Sequence, residues 1–129
     1  MEYLADTVTV IRHFSKTGKI GKRAKTILEE VERGEHHLYI STISLVEIMY
    51  LSEKNRIVIS LKDTLQIIDN ALNYSIVDLR SDIVKLAEHI SIPDIFDRLI
   101  VSTAKFLEIA LLTCDKGIID IDLIETLWD

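Results

Sequence analysis

Four short runs dominated by apolar residues punctuate this chain: Tyr3-Leu4-Ala5, Leu38-Tyr39-Ile40, Tyr74 to Asp78, and Ile109 to Leu112. A strand with one wet face alternates apolar and polar residues, whereas a strand buried on both faces does not. Such runs therefore point to a parallel sheet covered by helices on both sides. The stretches between them carry helical spacing. From Lys22 to Arg33, Ala24, Ile27, Leu28 and Val31 recur on one face; from Ser60 to Leu72 the stripe is Leu61, Leu65, Ile68 and Leu72. From Arg80 to Ile90 it is Ile83, Leu86, Ala87 and Ile90. Three further helices are expected over Thr7 to about Phe14, about Ile43 to Lys54 (capped by Ser41 or Thr42), and Ile95 to Leu107 after Pro93-Asp94. Either Ile118–Ile121 or Ile124–Trp128 supplies a candidate fifth strand. The expectation is an α/β fold with a mostly parallel sheet of four or five strands. In such sheets ligands bind beyond the carboxyl ends of the strands, where Asp6 and Asp115 fall.

A chain of 129 residues with one proline and four glycines has no room for long linkers, and a single domain over residues 1–129 is expected. The amino terminus lacks the basic segment and apolar run of a signal peptide, and no stretch is apolar over the length that spans a bilayer. The lone Cys114 excludes an intrachain disulfide and suits a reducing compartment. A cytoplasmic protein is the expectation. The net charge of −6 argues against a generally basic nucleic-acid binder. Yet from Thr7 through Leu28 there are six basic residues and no acid: Arg12, Lys16, Lys19, Lys22, Arg23 and Lys25. Of these, Arg12, Lys16, Lys22 and Arg23 are candidates for guiding a phosphate backbone; a solvated helix face is the plainer alternative.

Most acids sit on polar helix faces, but four do not. Asp6 lies between Tyr3-Leu4-Ala5 and Val8, Val10, Ile11; Glu47 lies within Leu45-Val46-Glu47-Ile48-Met49. Asp97 lies within Ile95-Phe96-Asp97-Arg98-Leu99-Ile100-Val101, and Asp115 follows the last clear strand. Each has a plain structural explanation: a cap for Asp6, an exposed stripe for Glu47, a dipole partner for Asp97 with Asp94 as cap, a turn residue for Asp115. Together, on this type of fold, they suggest converging carboxylates. Such groups repel one another and need a cation to stay ionised together. Hard oxygen ligands suit Mg²⁺ or Mn²⁺.

Four segments in order, Tyr3-Leu4-Ala5-Asp6-Thr7, Ile40-Ser41-Thr42-Ile43-Ser44-Leu45-Val46-Glu47, Pro93 through Ala104, and Leu111-Leu112-Thr113-Cys114-Asp115, resemble the successive motifs of the PIN-domain family, most closely its VapC-like toxin branch. The resemblance implies a three-layer α/β/α fold and a Mg²⁺- or Mn²⁺-dependent endoribonuclease. It implies that Asp6, Glu47 and Asp97 form the core of the metal site, with Asp115 as the more variable fourth acid. Thr7 and Thr113 stand where the family often carries hydroxyls, which implies support for the waters around the metal. It further implies a small antitoxin partner that blocks the acidic site with a basic side chain, and a homodimer.

Competing readings are less complete. A phosphoacceptor signalling module would need a second acid beside Asp6 and would take Asp78 as acceptor, leaving Glu47 unexplained. An Asp-x-Asp phosphatase fails because Val8 holds the second position. A degenerate domain kept for partner binding, or a housekeeping RNA-processing nuclease, would share this sequence pattern. No Gly-rich phosphate loop, nucleophile elbow or zinc spacing is present.

Overall fold

The computed structural model describes residues 1–129. Strands β1 (Glu2–Ala5), β2 (His37–Ser41), β3 (Tyr74–Val77), β4 (Ala110–Leu112) and β5 (Thr126–Leu127) form one sheet in the order β3-β2-β1-β4-β5. Every pairing is parallel. Helices α1 (Thr7–Ser15), α2 (Lys22–Glu32), α3 (Thr42–Glu53) and α4 (Leu61–Asp69) connect β1 to β2 to β3; α5 (Ser81–Ala87), α6 (Ile95–Leu107) and α7 (Lys116–Ile121) connect β3 to β4 to β5.

The layering follows from this order. The first two connections step across the sheet in one direction, and the last two step in the other. Crossovers of constant hand must then place their helices on opposite faces. The two cores show it. One holds Tyr3, Ala5, Leu38, Ile40 and Leu112 against Val10, Ile27, Leu28, Ile48 and Ile68. The other holds Leu4 and Leu111 against Ala87, Leu99, Ile100, Val101, Ala104 and Ile118. The fold is thus three-layer α/β/α, as the apolar runs predict, with five strands and no antiparallel pair. No helix is long and apolar enough to cross a membrane.

The direction of the connections reverses around β1, which lies between β2 and β4. Such a switch point opens a crevice at the carboxyl ends of its strands. Asp6 follows β1 directly, and Thr113 follows β4.

Three sequence expectations change. Ile118–Ile121 is helical, within α7, so the fifth strand is the alternative, inside Ile124–Trp128. A four-residue apolar run has no readable period, and Asp115 caps this one as a helix. Helix α4 stops at Asp69, and Leu72, placed in its core stripe by spacing, is 98% exposed. Here the sheet overrides the helical pattern. Asn73 donates its side-chain amide to the Val31 carbonyl, and its own carbonyl accepts from the Leu38 amide at 2.9 Å, so the chain turns into β3 and leaves Leu72 outside. Helix α5 stops at Ala87, although Ile90 beyond it is still buried.

Two contacts fasten the helical layer on the α1–α4 side. His13 is buried, with Nε2 2.8 Å from the Tyr74 hydroxyl; burial pushes its pKa down to about 4 and that of Tyr74 up to about 12. This is a neutral structural pair. Gly21 caps α2 against the chain end, where Ala24 donates its amide to the Trp128 carbonyl at 3.0 Å. A Cβ on Gly21 would lie 2.2 Å from that oxygen. Gly21→Ala is therefore expected to lower stability by about 1–3 kcal/mol, the usual cost of overpacking. Denaturant titration followed by the single Trp128 checks it; an unchanged midpoint would refute the close approach.

Candidate active site

Asp6, just past β1, still donates its amide to the Leu112 carbonyl of β4 at 3.2 Å, yet it already caps α1. Its Oδ1 accepts from the Thr9 amide at 3.0 Å and the Thr9 hydroxyl at 2.6 Å; its Oδ2 accepts from the Thr113 hydroxyl at 2.5 Å. Thr9 Oγ1 also lies 3.1 Å from the Leu112 carbonyl, but one hydroxyl proton cannot serve both, and the shorter contact to a carboxylate is the stronger. Thr113 in turn accepts from the Asp115 amide at 3.0 Å. One hydroxyl therefore ties the first acid to the fourth.

Glu47 comes from the second turn of α3, which leaves β2 under a Ser41 cap. Its Oε1 accepts from the Thr7 hydroxyl at 2.5 Å. Thr7 Oγ1 lies 3.0 Å from Ser44 Oγ; the carboxylate takes the only Thr7 proton, which leaves this contact for Ser44 to donate. Asp97 sits in the first turn of α6, its amide capped by Asp94 Oδ1 at 3.0 Å. Asp115 caps α7, with Oδ1 accepting from the Ile118 amide at 3.1 Å.

The electrostatics show that these groups share one locale. Asp97 is pushed up to about 6, first by burial and then by the charges of Asp94, Asp115, Glu47 and Asp6. Glu47 is also raised, chiefly by burial, against the Thr7 hydrogen bond and with the help of Asp94 and Asp6. None of the ion pairs in the structure includes Asp6, Glu47, Asp97 or Asp115. The cluster thus carries uncompensated negative charge made of hard oxygen donors, and a divalent cation of the Mg²⁺ type fits that donor set. The side chains do not form a ready-made cage, since no three His, Cys, Asp or Glu are grouped to hold an ion as they stand. Mutual repulsion works against a tighter grouping.

The raised pKa of Asp97 sets a pH dependence. Its ordinary value is 3.8, and its folded value is about 6. Between these the folded chain holds a proton that the unfolded chain has lost, so this group's contribution to stability falls as pH rises through that window. In EDTA, the thermal midpoint of the protein is expected to drop between pH 4 and pH 7 by more than that of Asp97→Asn. Parallel curves would show that Asp97 is not under strain.

All four predicted acids and both predicted hydroxyls, Thr7 and Thr113, converge at the carboxyl end of the sheet. The basic candidates do not. Arg12 donates to the Lys19 carbonyl at 2.8 Å, and Lys16 pairs with Glu32 at 3.0 Å. They border a hollow with Lys25 and Glu29, while Lys22 and Arg23 border another with Tyr3 and Asp129. Neither hollow shares a residue with the carboxylates. Sequence reasoning passed over Thr9 and Ser44, because a hydroxyl within a helix carries no sign of its partner. It read Asp94 only as a cap; the spacing of three from Asp97 was the available clue that both face one site.

The family model described as PIN domain matches residues 3–123. No curated protein matches the sequence. Among solved structures, the chain is similar to VapBC2 from Rickettsia felis bound to a promoter DNA fragment, at 19% identity and TM-score 0.72, over 100% of both chains. It is similar to DNA-bound VapBC from Salmonella typhimurium at 16% identity and TM-score 0.69, over 98% of this chain and 97% of that one. A toxin–antitoxin complex from Klebsiella pneumoniae matches at 21% identity and TM-score 0.65, over 97% and 95%. At these identities the likeness is one of fold.

Proposed function

This chain belongs to the PIN domain family, and on that footing we propose that it is a Mg²⁺- or Mn²⁺-dependent endoribonuclease, the toxin of a toxin–antitoxin pair, built as a single domain. PIN domains are nucleases. The observation that carries the reading to this chain is the gathering of Asp6, Glu47, Asp97 and Asp115 at the switch point of the sheet, without a cation among the side chains to balance them.

A bound divalent ion supplies activation of a water, polarisation of the phosphoryl group and stabilisation of the leaving oxygen. Asp6 and Asp97 would hold it, with Glu47 and Asp115 holding it directly or through water. Thr113 and Thr9 fix the rotamer of Asp6, so its free lone pairs point one way. Thr7 does the same for Glu47. In-line attack on an RNA phosphodiester would leave a 5′-phosphate and a 3′-hydroxyl.

The partner is proposed on two grounds. The similar structures include a toxin–antitoxin complex, and an acidic pocket attracts the basic side chain of a blocking antitoxin. A homodimer and a cytoplasmic location belong to the same reading. The test is cleavage of total cellular RNA by the purified protein, with Mg²⁺ or Mn²⁺ and with EDTA. Cutting that requires the metal is expected. Intact RNA, from folded protein free of antitoxin, would favour a domain kept for binding its partner.

A further inference from the structure

Beyond Glu47, the same face of α3 carries Tyr50, and Lys54 follows as the helix's C-terminal cap, at spacings of three and four residues. Tyr50 is 53% exposed, and the Lys54 ammonium lies 5.7 Å from the centre of its ring. Across from them Phe96, the residue before Asp97, is 38% exposed. Val46, Glu47, Tyr50, Leu51 and Phe96 together line a hollow of about 310 Å³. The hollow is therefore continuous with the carboxylate site: Glu47 belongs to both, and Phe96 and Asp97 are neighbours in the chain.

Two exposed rings at the rim of a polyanionic pocket need a partner of particular chemistry. Apolar surface left in water gains nothing from folding, and an acid, a ring and a cation in sequence along one helix make a patterned surface. A rise of 1.5 Å per residue puts Lys54 about 10 Å along the axis from Glu47. A nucleic acid strand, with phosphate, base and phosphate in order, matches this pattern once a divalent cation stands at the carboxylates. A phosphate held through that cation would place its adjoining nucleoside at the hollow, the base against the rings and the next phosphate toward Lys54. Only an unpaired base can do this, because stacked neighbours in a duplex cover its faces.

We infer that Tyr50 and Phe96 form a stacking subsite for one unpaired nucleobase beside the scissile phosphate, with Lys54 contacting the next phosphate. This rests on the nuclease reading above. An apolar segment of a protein partner is the competing occupant, but a strand brings a phosphate to each end of the patch, one to the cation that the carboxylates would hold and one to the Lys54 ammonium.

The experiment compares wild type, Tyr50→Ala and Tyr50→Phe on a single-stranded RNA oligonucleotide and on copies carrying one abasic nucleotide at successive positions. Tyr50 is mostly exposed, so both variants should fold. Tyr50→Ala is expected to lose roughly 5- to 150-fold in kcat/KM, mainly through KM, and Tyr50→Phe to stay near wild type. Wild type should discriminate against one abasic position next to the cut, and Tyr50→Ala should not. Unchanged kcat/KM in Tyr50→Ala, with the abasic penalty intact, would overturn the inference and assign the rings to a protein partner. If wild type cuts no RNA, the nuclease reading fails separately. The same oligonucleotide labelled with 2-aminopurine then decides: quenching that requires Tyr50 supports the subsite, and its absence overturns it.

Discussion

Asp6→Asn is expected to reduce kcat/KM for metal-dependent RNA cleavage by more than about a hundredfold, exceeding the 10–100-fold usual for removing a group that only supports a metal ligand. The substitution is close to a pure test of charge. Asn caps a helix as well as Asp does, so α1 keeps its start and the Thr9 amide keeps its acceptor. The remaining side-chain amide faces Thr113, whose hydroxyl can accept as readily as it donates. What is lost is one negative charge and one anionic oxygen at the centre of the cluster. Circular dichroism should show an unchanged fold, and the Mn²⁺ needed for half-maximal rate should rise. Cleavage at the wild-type rate would remove Asp6 from the reaction and, with it, the assignment of this cluster as a metal site.

The second large effect is on stability. Leu111 is fully buried in β4, flanked by Leu4 of β1 and Thr126 of β5, and packs under α6 and α7. Leu111→Ala is expected to lose about 2–5 kcal/mol, a large part of the roughly 5–15 kcal/mol that typically separates native from unfolded states. Leu72→Ala makes the comparison sharp. Helical spacing groups Leu72 with Leu61, Leu65 and the buried Ile68, but its exposure predicts a change within about 0.5 kcal/mol. Urea titrations of the two variants side by side check the pair. A costly Leu72→Ala would mean that this residue is covered by something other than the chain itself.

The contrast between these two leucines shows where the sequence was legible. Strands β1, β2 and β4 and helix α6 could be placed from sequence because burial on both faces, or a long helical stripe, leaves a pattern that local chemistry alone produces. Helix α4 ends early for a reason outside its own residues, the demand that Asn73 and Tyr74 pair with β2. Ile118–Ile121 is too short to carry a period, so its state depends on the Asp115 cap. At the site, the four acids stood out because charge among apolar residues is costly. Thr9 and Ser44 did not, since an uncharged hydroxyl in a helix carries no sign of the partner that satisfies it. The basic run from Arg12 to Lys25 was visible too, but its proximity to the acids is a matter of tertiary placement, and the fold directs it elsewhere.

The hydrogen bond from Thr113 to Asp6 closes a loop of 107 residues. Ribosomal synthesis delivers Asp6 and Glu47 early, with the strands that carry them, and Asp97, Thr113 and Asp115 last. Until β4 inserts beside β1, the innermost strand of the finished sheet is an open edge, able to pair with other chains, and its acid lacks two of its three companions. Pairing over so long a stretch of chain is intrinsically slow. A nascent chain of this architecture therefore holds no complete carboxylate site until β4 has joined the sheet, and the interval before completion is also when it most needs protection from aggregation.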